Sequence, residues 1–283
     1  MNAQPARSAL YIPGDKPRAL DKARSLPVDI ILFDLEDAVA PDAKAAARVT
    51  LAEALGAGGY GPRQRLVRVN GLDTAWGADD LAAVAGIPCD GVLVPKVNSP
   101  QDVDAVAKVL PDCPVWVMME TALGVLSAGA IAAHPRVAGF VLGTNDLAKE
   151  LGTRGTGDRA PLWTALQTCV LAARAHGIVV LDGVYNAFKD DEGLTRECRQ
   201  GRDFGFDGKT LIHPAQVDIA NAIFGPSADE IDLAQRQIAA FEAAQAEGKG
   251  IAVVDGRIVE NLHIVTARAT LAKADAIAAL ETT

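Results

Sequence analysis

Eight strand-like apolar runs recur at fairly regular intervals, at residues 8–14, 28–38, 65–71, 90–97, 115–120, 139–146, 177–184 and 208–215. Runs that are apolar throughout, rather than alternating, suit strands buried on both faces. Between them lie Ala-rich, charge-dotted stretches with helical spacing, such as 41–56 and 100–111, each opened or closed by Pro or Gly. Eight alternations of strand and helix predict an α/β fold, a closed (β/α)8 TIM barrel rather than an open sheet. The doubly wound alternative would need a Gly-rich turn directly after an early strand, and none is present. The glycine-rich segment 152–158 follows the sixth run and reads as a mobile lid.

Past Phe224 the pattern changes. Residues 228–247 read as an amphipathic helix, 249–258 as a short extended excursion and 261–281 as a final helix. The predicted organisation is a barrel catalytic domain over 1–224 and a C-terminal helical extension over 225–283, serving as a lid or an oligomerisation arm.

Length agrees with this reading, since 283 residues suit one barrel of about 250. Lys+Arg 27 against Asp+Glu 36 gives a net charge of −9 without a basic block. That balance argues against nucleic acid and anionic membranes and for small-molecule partners. Cys89, Cys113, Cys169 and Cys198 are scattered without a C-x-x-C pair, so neither a zinc site nor a disulfide framework is indicated, and a reducing cytoplasm is expected. No apolar stretch suits a signal peptide or a membrane span.

The chemistry of such barrels sits at the C-terminal strand ends, and polar residues gather there. They are Glu36 and Asp37 after the second strand, Arg68 and Asn70 on the third, Lys96 on the fourth and Glu120 on the fifth. Asn145 and Asp146 follow on the sixth, Asp182 on the seventh, and Lys209 and His213 on the eighth. Glu120 and Asp146 end adjacent buried strands. Two oxygen ligands completed by waters and a bidentate substrate describe Mg²⁺ or Mn²⁺, and the absence of a His cluster argues against zinc. Asp37 and Asp182 serve equally well as helix N-caps. Arg68 is either a structural partner of Glu36 or Asp37 or a fork for a carboxylate or enolate oxygen. Lys16, Arg18 and Lys22 form a solvated face or, beside a helix N-terminus, a phosphate site.

The segments RSALYIPGDKPRALDKA, DIILFDLEDAVAPDAK, RVN, LVPKV, VMMETALGV, GTNDLA and DGKTLIHPAQV closely resemble the citrate lyase β-subunit-like (CitE-like) group of the HpcH/HpaI aldolase family, which includes malyl-CoA and citramalyl-CoA lyases. The resemblance runs in order over about residues 7–217. It implies Mg²⁺ held by Glu120 and Asp146, substrate bound and an enolate stabilised by Arg68, and metal-bound waters held by Glu36 and Asp37. It also implies CoA contacts at Lys16 and Lys22, with Asn145, Ile212 and His213 lining the channel for the CoA thioester.

Two positions depart from the family pattern. Ala38 replaces a usual Gly, and Glu260 stands where relatives carry an aspartate that crosses from a neighbouring subunit and handles the proton on acetyl-CoA. The resemblance implies a Mg²⁺-dependent carbon–carbon lyase, cleaving a 3-hydroxyacyl-CoA reversibly to acetyl-CoA and a 2-oxoacid, in a homo-oligomer such as a trimer or hexamer. A CoA-independent pyruvate aldolase, a citrate lyase complex β subunit, a malyl-CoA thioesterase and an inactive binding protein stay open as alternatives.

Overall fold

The computed structural model describes residues 4–155 and 157–281. Its elements in chain order begin with β1 (Ser8–Pro13), α1 (Pro17–Ala23), β2 (Ile30–Asp34), α2 (Lys44–Ala57), β3 (Gln64–Arg68), α3 (Gly77–Val84), β4 (Gly91–Val94) and α4 (Pro100–Val109). There follow β5 (Val115–Met119), α5 (Ala122–Leu126), α6 (Ala128–Ala132), β6 (Val137–Leu142), α7 (Thr144–Glu150), α8 (Trp163–His176), β7 (Val179–Asp182), α9 (Asp191–Phe204), β8 (Gly208–Leu211) and α10 (Val217–Phe224). The last are α11 (Ala228–Ala246), β9 (Ala252–Val254), β10 (Arg257–Val259) and α12 (Asn261–Glu281).

Strands β1 to β8 close into a barrel in which every neighbouring pair is parallel and β8 returns to β1. This is the (β/α)8 fold that the apolar pattern predicts. β2, β4, β5 and β8 are buried along their whole length, as strands covered inside by the core and outside by helices must be. The interior is filled by Ala9, Ile30, Leu32, Leu66, Leu93, Trp116, Met118, Val141 and Leu181, with Tyr11 packed against them. Trp116 fits because its neighbour in the register, Gly139, carries no side chain. A Cβ there would stand 2.5 Å from the indole Cζ3.

Buried polar pairs fix the strand ends. Arg7 donates to Asp29 at 2.9 Å at the barrel's N-terminal end. After β7, Asp182 takes Arg159 at 2.8 Å and Lys209 at 3.0 Å, and Lys209 also reaches Glu197 at 2.7 Å. Burial alone would raise the Asp182 carboxyl, but the two cations outweigh it and hold it below its usual range. Asp182 and Lys209 are thus structural partners of each other. Trp163 Nε1 and Gln200 Nε2 both donate to the Asp158 carbonyl. The glycine-rich segment read as a lid is therefore anchored at its C-terminal end; Thr156 within it lies outside the described residues.

The chain divides into two compact units, one spanning Ala6–Asn221 and the other taking the chain from Ala222. The second unit starts α11 with a capping box, in which Ser227 Oγ accepts from Glu230 N at 3.2 Å and Ser227 N donates to Glu230 Oε2 at 2.7 Å. Phe241, Ala252, Val259 and Ile264 form its core. β9 and β10 pair antiparallel across Asp255 and Gly256, both with positive φ, as a two-residue hairpin loop requires. Arg236 holds Asp255 at 2.8 Å, so Asp255 is a hairpin residue. Among the described residues no helix is long and apolar enough to cross a membrane.

The tight Trp116–Gly139 contact yields a stability test. Gly139→Ala is expected to destabilise the protein by about 1–3 kcal/mol in urea unfolding, the cost of overpacking a filled core. Gly129→Ala, where nothing lies within 4 Å of the added Cβ, is expected to be neutral or slightly stabilising.

Candidate active site

A cavity of about 340 Å³ opens among the C-terminal strand ends. Tyr11, Asp34, Arg68, Met118 and Leu142 line it from β1, β2, β3, β5 and β6, and Glu120, Asp146, Val184 and Ile212 line it from the segments that follow the strands.

β2 ends on Asp34, whose carboxylate is fully buried. Its two oxygens accept the Arg68 guanidinium as a fork, Nε at 2.8 Å and Nη2 at 2.6 Å. The same oxygens accept the backbone N–H of Glu36 at 2.9 Å and of Ala38 at 3.0 Å. One carboxylate thereby fixes both the arginine and the loop after β2. Lys44 reinforces that loop by donating to the carbonyls of Leu35 and Glu36 at 3.0 and 2.9 Å. Asn70 adds a bond to Leu35 O at 2.8 Å while it is held by buried Asp80, so Asn70 supports the site from behind.

The rest of the Arg68 surroundings set its charge. Nη1 meets Glu36 Oε2 at 2.9 Å and Asp37 Oδ2 at 3.4 Å, and the guanidinium lies over the Tyr11 ring, 4.6 Å from its centroid. Burial alone would lower the arginine's pKa, but Asp34 overrides it and the group is held firmly charged. Burial pushes Glu36 up to about 8; Arg68 opposes the rise, and Asp37, Glu120 and Asp34 add to it. Burial thus works against the full charge of Glu36 beside Arg68 and suits its carboxyl to proton exchange.

Glu120, 3% exposed, follows β5. Its Oε1 accepts the N–H of Lys96 at 2.9 Å, a residue in the left-handed region at φ 53. Its Oε2 lies over Gly143, where a Cβ would approach to 2.4 Å, so only glycine leaves room for this carboxylate. Burial pushes Glu120 up to about 7; the Lys96 N–H opposes the rise and the charge of Asp146 adds to it. Asp146 sits half-buried on the first turn of α7.

The cavity lining contains Asp34, Asp37, Glu120 and Asp146 against one cation, Arg68, which Asp34 already neutralises. An anionic ligand would meet a negative wall. Hard oxygen donors in that setting suit a hard divalent cation. Among the described residues no cluster of three or more His, Cys, Asp or Glu side chains could hold a metal. Glu120 and Asp146 would thus supply two ligands and leave the other positions to water and ligand oxygens, the open arrangement that Mg²⁺ accepts.

The other residues singled out from the sequence fall in different places. Asn145 exchanges two amide hydrogen bonds with Asn186, at 2.8 and 3.3 Å, on the cavity wall. Ile212 lines the cavity. His213 does not; its Nδ1 accepts from Ala215 N at 3.2 Å and its ring stacks on Phe188 at 4.8 Å. Lys16 and Lys22 stand exposed at the start and in the last turn of α1, off the cavity wall, with Lys16 on Asp15 at 2.6 Å. Glu260 belongs to the second unit, exposed, its N–H bonded to His263 Nδ1 at 3.2 Å.

Asp34, Tyr11 and Asn186 escaped the sequence reading. Asp34 could have been found, because it closes a buried strand as Glu120 does. The strand-like pattern of the second run continues to residue 38, which gives Asp34 the look of an interior position.

Comparison with known proteins supplies what geometry does not. The chain matches the model of the HpcH/HpaI aldolase/citrate lyase family over residues 7–214. A (3S)-malyl-CoA thioesterase of Cereibacter sphaeroides is 65% identical over 277 residues, covering 98% of this chain and 97% of that protein. An L-malyl-CoA/beta-methylmalyl-CoA lyase of the same species is 35% identical over 308 residues, with 98% and 97% covered. Among solved structures, protein CitE of Mycobacterium tuberculosis in complex with magnesium, acetoacetate and coenzyme A matches with a TM-score of 0.81 at 31% identity, covering 96% of this chain and 99% of that one.

These likenesses correct the expectation of a carbon–carbon lyase. Over the same span the chain is far more similar to hydrolases, at 65% identity, than to lyases, at 35%. The site residues could not separate the two, because both reactions begin with the same kind of thioester. With the family model matched across most of its length and full-length relatives well above 30% identity, the chain belongs to the HpcH/HpaI aldolase/citrate lyase family of enzymes.

Proposed function

We propose that the protein hydrolyses a malyl-CoA-type thioester, (3S)-malyl-CoA foremost, to free CoA and the hydroxydicarboxylic acid. The observation that carries this reading is the 65% identity, over nearly the whole chain, to a protein named for that substrate and reaction. The cavity supports it. A malyl group carries a hydroxyl and a carboxylate on one carbon, and the negative wall between Glu120 and Asp146 can take such an anion only with added positive charge.

Glu120 and Asp146 are the residues that would hold Mg²⁺, or Mn²⁺ in its place. When bound, the cation would supply that missing positive charge for the hydroxyl and carboxylate of the malyl group. Arg68 turns its Nη1 edge, kept in place by Asp34 and Tyr11, toward the thioester carbonyl, whose oxygen gains negative charge as water adds. Glu36, beside that edge, exchanges a proton with the attacking water, and Asp37 faces the same space. A C–O bond forms, the C–S bond breaks, and the departing sulfur takes up a proton. Asn145 with Asn186 and the apolar Ile212 hold the chain leading to the CoA end. Lys16 and Lys22, exposed at the two ends of α1, suit its phosphates by charge.

Position 260 supports hydrolysis as well. An acid in that place serves lyases by moving a proton on the acetyl methyl, a step that hydrolysis does not contain. The longer Glu260 is therefore compatible with the proposed reaction. The second unit exposes Ile251, Val253, Ile258, Leu262 and Val265 at 50–69%, a surface that suits burial against further copies of the chain.

Purified protein with Mg²⁺ and (3S)-malyl-CoA is expected to release CoA thiol and malate in equal amounts, with activity lost to EDTA and restored by Mg²⁺ or Mn²⁺. Acetyl-CoA and glyoxylate as the main products would overturn the reading. Asp34→Asn is expected to lower kcat/KM about 100-fold by letting the guanidinium and the loop after β2 drift. An unchanged kcat/KM would remove Asp34 from the site. Light scattering should report a species larger than the 29.5 kDa chain.

A further inference from the structure

The segments after β7 and β8 form one wall of the cavity, through Val184 and Asn186 from the first and Ile212 from the second. A single buried amide joins them from behind. Gln216, 1% exposed, accepts the N–H groups of Ile212 and His213 on Oε1 at 3.0 and 3.2 Å and donates from Nε2 to the Tyr185 carbonyl at 2.9 Å. Tyr185 stands between Val184 and Asn186 in the chain, so the bridge ends on the backbone of the wall itself.

Stabilising a turn accounts for only part of this. The turn Pro214–Gln216 needs an acceptor for the His213 N–H, and glutamate fills that place in a capping box as well as glutamine does. A carboxylate, however, cannot donate to Tyr185 O. The segment after β7 is also held on its other side. Lys209 Nζ donates to Gly183 O at 2.6 Å, Asn186 exchanges amide bonds with Asn145, and a Cβ on Gly183 would stand 2.5 Å from Thr144 Oγ1. That segment is thus fixed toward α7, and Gln216 fixes Ile212 to it. Phe188 and His213 join the same two segments by stacking at the exposed rim, where a slide of the rings costs less than breaking a buried hydrogen bond.

We propose that Gln216 is a positioning residue that sets the spacing between Ile212 and the segment carrying Val184 and Asn186, and through it the fit of the acyl-CoA chain. The inference rests on the proposed function, which lays that chain along this wall. Gln216 is not part of the cavity lining and acts through the backbone it holds. Its effect falls on binding of the CoA arm rather than on the chemical step, because Arg68 is held by Asp34 and Glu120 by the Lys96 N–H, on other strands.

Gln216→Glu keeps the acceptor and loses the donor, whereas Gln216→Met keeps the length and loses all three bonds. Free CoA, titrated calorimetrically, is expected to bind each variant about tenfold more weakly than the wild type, with KM for (3S)-malyl-CoA raised alike and kcat within about twofold. Wild-type affinity and KM in either folded variant, or a fall in kcat with KM unchanged, would reduce Gln216 to a turn cap and overturn the proposal. So would a wild type that binds no CoA. Hydrogen exchange on the wild type decides without any substitution. The N–H groups of residues 212 and 213 are expected to exchange severalfold more slowly with CoA bound, and unchanged exchange contradicts the proposal. Titration and exchange report on Gln216 whatever the products are, whereas acetyl-CoA and glyoxylate formed from malyl-CoA would overturn the hydrolase reading alone.

Discussion

The buried carboxylate of Asp34 is the constraint on which the mouth of this barrel depends. It accepts a two-pronged bond from Arg68 and, with the same oxygens, the N–H groups that shape the loop carrying Glu36 and Asp37. Removing a guanidinium from water is costly unless every face is satisfied. Here Asp34 takes two edges, the acids of the loop face a third, and Tyr11 covers the plane. The cation and the loop are therefore placed by one group, and neither can move without the other.

The opposite wall is built by the reverse device, a buried acid that the nearby charges of Arg68 and Lys96 do not keep in its usual range. Glu120 is buried with one backbone N–H on one oxygen and bare Cα of Gly143 beneath the other. Burial drives its carboxyl toward the neutral form, and the neighbouring Asp146 adds to that pressure. Such an arrangement is poor as a structural feature and good as a socket for a cation, because ion binding relieves the repulsion that folding has built in. The barrel makes this possible, since the ends of the adjacent strands β5 and β6 present Glu120 directly after one and Asp146 on the helical turn after the other, whether or not they repel.

Much of this was legible in the sequence. Continuous apolar runs mark strands buried on both faces, and eight of them close a barrel, so Glu120, Asp146 and Arg68 could be placed at one end by counting. Asp34 was hidden by a strand boundary four residues out. His213 follows a channel residue, Ile212, in the chain, yet its ring nitrogen satisfies a turn and its face packs on Phe188. The choice between hydrolysis and carbon–carbon cleavage was not legible either, because both begin from the same kind of thioester and differ in whether water or a proton donor reaches it.

The central proposal is that Glu120 and Asp146 together hold one divalent cation. Electron paramagnetic resonance of added Mn²⁺ tests it most directly. The account predicts one bound ion per chain, lost in both Glu120→Gln and Asp146→Asn, with malate displacing water from the ion in the wild type. Unchanged Mn²⁺ binding in the two variants would contradict it.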